Sequence, residues 1–165
     1  MKLRAKKGEG AATPEELAEF AKGLICLTPD PDESLINAFG RHNVFAELQR
    51  HHNRDQEARN QATLEVARRL KSPLVATNGV SYATPKHREL LDVFTCIRNH
   101  TTLGEAGRLL EINSERYVKT PEQMNHLFAD LPEAIANTLE ISSRLQFTLA
   151  DLGYEFPTLF LTATR

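Results

Sequence analysis

The sequence predicts an α/β fold in which about three parallel strands alternate with helices and are followed by a helical C-terminal segment. Apolar runs of strand length occupy residues 24–28, 43–50 and 73–77. A helical period of apolar residues fills residues 55–70, between the second and third runs. Helix signals recur from residue 85 onward, without a further strong strand pattern. Strands separated by helices in this rhythm pair in parallel.

The composition fits one soluble domain or a piece of a larger one. The chain has 165 residues, of which 41% are hydrophobic and 25% charged. Its formal net charge of −2 provides no overall attraction to nucleic acid or to an anionic membrane. No apolar run approaches the ~18 residues of a membrane span, and no signal peptide follows the basic N-terminus, so a cytoplasmic location without a membrane partner is predicted.

The first elements have clear start signals. Residues 1–12 are rich in Lys and Gly and are predicted to be flexible. A short helix then begins with Thr13 as N-cap, Pro14 in the first turn and Glu16 completing a capping box, and it ends at Gly23. Its apolar stripe is Leu17, Phe20 and Ala21.

The strands follow. "LICLT" (24–28) is predicted to be buried on both faces, and a Pro-Asp turn leads to a second short helix around residues 34–39. The second strand is residues 43–50, and "PLVAT" (73–77) is the third. The helix between them, residues 55–70, carries a predicted buried stripe of Ala58, Ala62, Val66 and Leu70.

The second half is predicted to be helical. Helices start at Thr120-Pro121 and Leu131-Pro132. An earlier helix has an apolar face formed by Leu90, Val93, Phe94 and Ile97. Three strands cannot close a barrel, so the sequence indicates the tail of an α/β domain rather than a whole one.

The cysteines, Cys26 and Cys96, lie inside apolar segments. We predict that both are reduced and buried as small hydrophobic side chains, since a disulfide is unusual in such a chain.

The richest polar cluster, "ELQRHHNRD", follows the second strand. It contains Glu47, Gln49, His51 and His52, at the carboxyl end where parallel sheets bind ligands. One interpretation is a metal or general-base role for His52 with Glu47. The favoured interpretation is a pair of solvated loop histidines.

The third strand also ends in polar residues: Asn78, Gly79, Ser81 and Tyr82. Asn78 and Gly79 are predicted to form a tight turn, with Gly79 supplying a permissive backbone. Ser81 lacks a G-x-S-x-G context, which argues against a nucleophile. His87 and His100 flank a helix and are predicted to lie on the surface.

Basic residues form two groups, Arg68, Arg69 and Lys71 near the end of a helix, and Lys2, Arg4, Lys6 and Lys7 at the N-terminus. Acidic residues are interleaved along most of the remaining chain. A solvated face is therefore the favoured interpretation over a nucleic-acid patch.

Several of these segments together resemble the polymerase-and-histidinol-phosphatase (PHP) domain of the bacterial C-family DNA polymerases, the DNA polymerase III alpha subunit family. The similarity runs over about residues 3–157 in order and spacing. It is carried by "GLICLT", "AELQR", "ARNQATLEVARRLKSPLVATNGVSYATPKHRELLDVFTCIRNHTTL" and "FADLPEAIANTLEISSRLQFTLADLGYEFP". The forms "RHHNRDQEARNQ" and "ATNGVSYATP" are most similar to the error-prone branch, which takes part in damage-induced mutagenesis.

This resemblance implies a distorted β/α barrel, of which residues 13–116 would be the C-terminal part. Residues 117–157 would form the helical connection toward the palm. The family's His-x-His metal motif is expected upstream of Met1, and the palm aspartates downstream of Arg165. The ending "TLFLTATR" (158–165) departs from the family pattern, and a truncated or frameshifted reading frame is the expected cause.

The resemblance also bears on metal binding. Metal-binding members of the family have Asn-Asp-x-His after the third strand, whereas this chain has Gly79 and Ser81 at the Asp and His positions. The family's cysteine ligand falls near Asp30, within an altered turn. We therefore expect no catalytic, cofactor-binding or metal residue in this chain, and Mg²⁺ only in the parent's palm.

The expected partners are the rest of the polymerase polypeptide, DNA through that parent, and mutagenesis-complex proteins. Two alternatives stay open. One is a small metal-dependent PHP-like phosphoesterase using Glu47, His51 and His52. The other is a module that docks a polymerase partner or DNA.

Overall fold

Three strands form one parallel sheet in the order β1–β2–β3. They are β1 (Cys26–Thr28), β2 (Val44–Gln49) and β3 (Leu74–Thr77). Cys26 pairs with Val44 and Ala46 pairs with Leu74, so the central strand is hydrogen-bonded on both sides. The structure is a computed structural model that describes residue 10 and residues 12–153. The three predicted parallel strands are confirmed.

Six α-helices surround the sheet in the described part of the chain. They are α1 (Pro14–Phe20), α2 (Glu33–Phe39), α3 (Arg54–Leu70), α4 (Arg88–Asn99), α5 (Pro121–Leu127) and α6 (Pro132–Arg144). Short 3-10 turns lie at Arg41–Asn43, Pro85–His87, Gly107–Leu109 and Leu149–Leu152. The predicted capping box of Thr13 and Glu16 is present, and Thr120 forms a second one with Gln123. The predicted helix starts at residues 120–121 and 131–132 are confirmed.

The core lies between β2, β3 and three helices. Phe128, which follows α5, is fully buried and packs with Leu48 of β2 and Leu64 of α3. Ala76 of β3 and Ala134 of α6 complete this cluster. The partly buried side chains packed against it are Leu74, Met124, Leu127, Leu131 and Ile135. The helical C-terminal segment is therefore attached to the sheet through a shared core.

The prediction that the first strand is buried on both faces is wrong. Leu27 in β1 is 42% exposed and Leu24 is 53% exposed. β1 is one of the two edge strands of the sheet, and its side chains are exposed or half-buried, whereas the other edge strand, β3, has two buried residues. Cys96 is buried as predicted, but Cys26 is only half-buried; both are free thiols. Partial burial raises the pKa of the Cys26 thiol, and nearby Asp32 adds to that rise.

The predicted buried stripe of α3 is also wrong. Ala58 and Ala62 are exposed, and Val66 and Leu70 are partly exposed. The buried residues are Asn60, Thr63, Leu64 and Ala67. The Asn60 amide donates to the Gln49 carbonyl at 2.8 Å, and the Thr63 hydroxyl donates to the Pro29 carbonyl at 2.7 Å. Polar side chains can be buried when they are hydrogen-bonded, as Asn60 and Thr63 are. The pattern of apolar residues alone therefore predicted the wrong buried face for α3.

Helix α4 exists as predicted, but its apolar face lacks a partner among the described residues. Leu90, Val93, Phe94 and Ile97 are between 43% and 67% exposed. No helix in the described part of the chain is long and apolar enough to cross a membrane. The predicted tail (158–165) and most of the predicted flexible segment (1–12) lie outside the described residues.

Candidate functional site at the carboxyl edge of the sheet

The carboxyl ends of β2 and β3 bring Glu47, Gln49 and Thr77 together on one face. Gln49 pairs with Thr77 in register, and Glu47 lies two residues earlier on the same face. One carboxylate oxygen of Glu47 accepts from the Thr77 hydroxyl at 2.5 Å and from the Gln49 amide at 3.1 Å. This carboxylate is already engaged by neighbouring side chains.

His51 is buried, so its prediction as a solvated loop residue is wrong. Its Nε2 lies 2.9 Å from the Asn78 carbonyl oxygen, and its Nδ1 lies 2.9 Å from the Gln56 side-chain nitrogen. A neutral ring that donates from Nε2 and accepts at Nδ1 satisfies both contacts. His51 therefore ties the end of β2 to the end of β3.

His52 is exposed, as predicted, with a left-handed backbone at φ 53°. Its Nε2 lies 3.9 Å from a Glu115 carboxylate oxygen. Although the two histidines are adjacent in sequence, His51 is buried and His52 is exposed, so their rings do not form one site.

The permissive backbone predicted for Gly79 is confirmed, but residues 78–81 form an extended connection after β3 and not the predicted tight turn. Gly79 has φ +47°, a left-handed conformation that favours glycine, and a Cβ there would lie 2.6 Å from the Gln49 side-chain oxygen and displace that side chain. Asn78 is buried, and its amide donates to the carbonyls of Tyr117 at 2.6 Å and Glu115 at 3.2 Å. Ser81 is exposed, whereas Tyr82 is buried.

Residues 111–119, here called the closing segment, cover this edge of the sheet. The Asn113 amide donates to the His51 carbonyl at 2.6 Å. Arg116 donates from Nε to the Gly79 carbonyl at 2.7 Å, and its own carbonyl accepts from the Ser81 backbone at 2.8 Å. Sequence reasoning missed this segment because "EINSERYVK" has neither a helical nor a strand period.

Lys119 secures the end of the closing segment. Its side chain is 5% exposed, and its Nζ lies 3.1 Å from a Glu115 carboxylate oxygen. The same nitrogen donates to the Glu115 carbonyl at 2.5 Å and lies 4.0 Å from the centre of the Tyr117 ring. Because a buried ammonium needs this many partners, the lysine has a structural role here.

The residues at this edge do not fit a catalytic metal ion. Gly79 offers no side chain and Ser81 only a neutral hydroxyl, which is a poor ligand beside imidazole or carboxylate. Glu47 and His51 are already hydrogen-bonded to protein groups. No three His, Cys, Asp or Glu side chains are grouped to hold a metal anywhere in the described ranges. That the chain binds no catalytic metal stays a prediction.

The remaining candidates are surface residues. His87 and His100 are exposed, as predicted. Arg68, Arg69 and Lys71 are exposed as well, and the N-terminal basic group lies outside the described residues.

Arg50, just beyond β2, links the sheet to the helical C-terminal segment. Its guanidinium donates to both Asp130 carboxylate oxygens, at 2.5 and 2.9 Å, and to the Leu127 carbonyl at 2.8 Å. It also stacks 4.9 Å from the centre of the Phe128 ring. The hydrogen bonds from Arg50 lower the pKa of Asp130, and the same bonds raise the pKa of Arg50.

We expect this pair to make stability depend on pH. Because the folded-state pKa of Asp130 is depressed, its contribution is present above the unfolded pKa and is lost as pH falls through the folded value. Asp130→Asn should therefore cost about 0.5–1 kcal/mol at neutral pH, a modest figure because the carboxylate is largely exposed. Urea unfolding at neutral pH and near pH 3 measures the difference, which should shrink in acid.

Asp30→Asn, at another exposed carboxylate, is the control for the loss of one negative charge, and it should lower stability at neutral pH less than Asp130→Asn does. An Asp130→Asn cost that stays constant from neutral pH to acid would contradict the assignment.

Taken together, the described residues form a parallel α/β structure in which the closing segment covers the carboxyl end of β3, while a cavity of about 310 Å³ remains beside Glu47 and Gln49 of β2. No family model matches the chain. Nearly its whole length is nevertheless homologous to part of the curated bacterial proteins named error-prone DNA polymerase. It is 37% identical over 164 residues to the Bradyrhizobium diazoefficiens protein, covering 93% of this chain. It is 35% identical over 167 residues to the Caulobacter vibrioides protein, covering 94% of this chain.

A stretch of 105 residues, 63% of this chain, is 45% identical to an error-prone DNA polymerase of Rhodopseudomonas palustris. The chain spans only a small part of these relatives: 14% of the Bradyrhizobium protein, 15% of the Caulobacter protein and 9% of the Rhodopseudomonas protein. Its similarity is thus to one segment of a much longer polypeptide.

Proposed function

We propose that this chain is a structural segment of an error-prone DNA polymerase, corresponding to the C-terminal part of a PHP domain that has lost its metal site. The parent would transfer nucleotides during synthesis across damaged DNA, using two metal ions held by palm carboxylates. Those carboxylates would lie outside the segment. Its own role would be to support the rest of the polymerase polypeptide.

The observation that carries this proposal is the closing segment. In a parallel sheet, ligands bind at the carboxyl ends of the strands. Here the carboxyl end of β3 is occupied by protein: the Asn78 amide is bound to the carbonyls of Glu115 and Tyr117, and Arg116 is bound to the Gly79 carbonyl. In a catalytic member, the residues after β3 would hold ligands. Here they bind residues 115–117, which lead into the helical C-terminal segment.

The open surfaces of the segment support a role within a larger protein. The edge strand β1 and the apolar face of α4 are both exposed. Faces of this kind are covered in complete α/β domains. The homologous polymerases are several times longer than this chain and would supply the missing cover.

A metal and activity test distinguishes this proposal from a small phosphoesterase. We would titrate the chain with Zn²⁺ and Mn²⁺ by calorimetry and assay a phosphodiester substrate, with His52→Ala and Glu47→Gln as controls. The expected result is no tight stoichiometric binding, and no cleavage above that of the two variants. Tight binding together with activity that both substitutions abolish would reject the proposal and support the phosphoesterase.

A further inference from the structure

Five cationic residues gather at the amino end of the sheet, around the C-terminal end of α3. Arg41 donates to the Leu70 carbonyl, and Arg144 donates to the His42 carbonyl at 2.8 Å. We call this group the α3 basic cluster, and its members are Arg41, Arg68, Arg69, Lys71 and Arg144.

Three members of the cluster form no ion pair with the residues that the structure describes. No ion pair in the described part of the chain includes Arg68, Arg69 or Lys71. Basic residues at a helix end often satisfy its last carbonyls, but other groups do so here. The Lys71 backbone donates to the Ala67 and Arg68 carbonyls, and Arg41 donates to the Leu70 carbonyl. The three side chains are therefore free to bind a partner.

The cluster lines two cavities that share Lys71. One, of about 490 Å³, is lined in part by His42, Arg68 and Lys71. The other, of about 460 Å³, is lined in part by Arg41, Arg69 and Lys71. Because Lys71 belongs to both, the two cavities adjoin at the end of the helix, and four of the five cations line one or both of them.

The charge at this surface differs in sign from that of the whole chain. Three carboxylates also line the two cavities, those of Glu33, Glu133 and Glu140, and Glu140 lies 3.8 Å from Arg144. Four cations line the two cavities, Arg41, Arg68, Arg69 and Lys71, and against three carboxylates they leave the lining with one excess positive charge, while the chain has a net charge of −2. Any attraction of an anion must therefore be local and strongly screened by salt.

We propose that the α3 basic cluster binds the phosphate backbone of nucleic acid. A planar guanidinium can hold a phosphate through two parallel hydrogen bonds, and lysine binds it as a point charge. Cations spread over two adjoining cavities suit a polymer with regularly repeated phosphates better than a single anion. Contacts of this kind position a backbone without recognising sequence. The inference does not depend on the proposed metal-free role of the carboxyl edge.

The test compares two triple variants of the full chain. One is Arg68→Ala, Arg69→Ala, Lys71→Ala; the control, Lys86→Ala, Arg98→Ala, Arg108→Ala, removes the same charge from exposed positions elsewhere. Binding of labelled duplex DNA is followed by anisotropy over about 50–200 mM salt. The cluster variant should lose about tenfold or more in affinity at low salt, and its salt slope should fall by up to about 2.7, since each lost phosphate contact lowers it by about 0.9. The control should keep the wild-type slope.

Three results would overturn the proposal: no saturable DNA binding by the wild type at low salt, equal loss in both triple variants, or better competition by an acidic polypeptide than by DNA of equal charge. The last would assign the surface to an acidic protein. Single charge reversals, Arg69→Glu against Arg98→Glu, repeat the comparison with less change to the fold. Circular dichroism of every variant confirms that folding is retained.

Discussion

Replacing Phe128 with alanine is expected to lower the free energy of unfolding by about 3–5 kcal/mol. The Phe128 ring is fully buried between β2, α3 and α6, where it packs with Leu48, Leu64 and Ala134. Truncation removes the buried area and leaves a cavity that the surrounding side chains fill only in part. It also removes the ring on which Arg50 stacks. Urea unfolding followed by circular dichroism measures the effect.

Phe147→Ala is the matched control, since that ring is 65% exposed. Its cost should stay within about 0.5 kcal/mol, as for most surface substitutions. Equal costs for the two variants would show that Phe128 does not hold the helical segment against the sheet.

The second large effect is expected for Asn78→Asp, a change of nearly constant shape. The Asn78 amide nitrogen donates to the Glu115 and Tyr117 carbonyls, whereas a carboxylate oxygen in its place would face those two acceptors. A buried charge without donors should cost about 3 kcal/mol. It should also release the closing segment, so hydrogen exchange and proteolysis there should become faster.

Ser81→Asp adds the same charge three residues later at an exposed position and is the control. It should leave exchange in the closing segment unchanged. Unaltered protection of residues 111–119 in Asn78→Asp would mean that other contacts hold the segment in place.

Sequence patterns predicted the elements because local signals specify them. Thr13 and Thr120 each begin a helix with a capping box, and the strands at residues 43–50 and 73–77 are apolar runs of the right length. Burial was harder to predict. β1 is apolar, yet Leu27 in it is exposed, and α3 buries Asn60 and Thr63 because the carbonyls of Gln49 and Pro29 accept hydrogen bonds from their side chains. Composition alone does not show which neighbours an element will have.

The candidate site was predicted only in part, for a related reason. The left-handed backbone of Gly79 was predicted from local chemistry and is confirmed, although no tight turn forms there. The burial of His51 depends on partners distant in sequence: the Asn78 carbonyl is 27 residues away and the Asn113 amide 62 residues away. Long-range hydrogen bonds of this kind leave no periodic pattern.

The closing segment sets an order in which the chain can fold during synthesis. The ribosome releases β3 well before Tyr117, because the bond between Asn78 and Tyr117 spans 39 residues. Because synthesis adds about 5–20 residues per second, Tyr117 is made seconds after Asn78, and the carboxyl edge of the sheet lacks these hydrogen bonds until then. The ion pair of Arg50 forms later still, since Asp130 is 80 residues further along the chain. The sheet therefore emerges first with unpaired groups at its carboxyl edge, and the later arrival of residues 111–130 completes it.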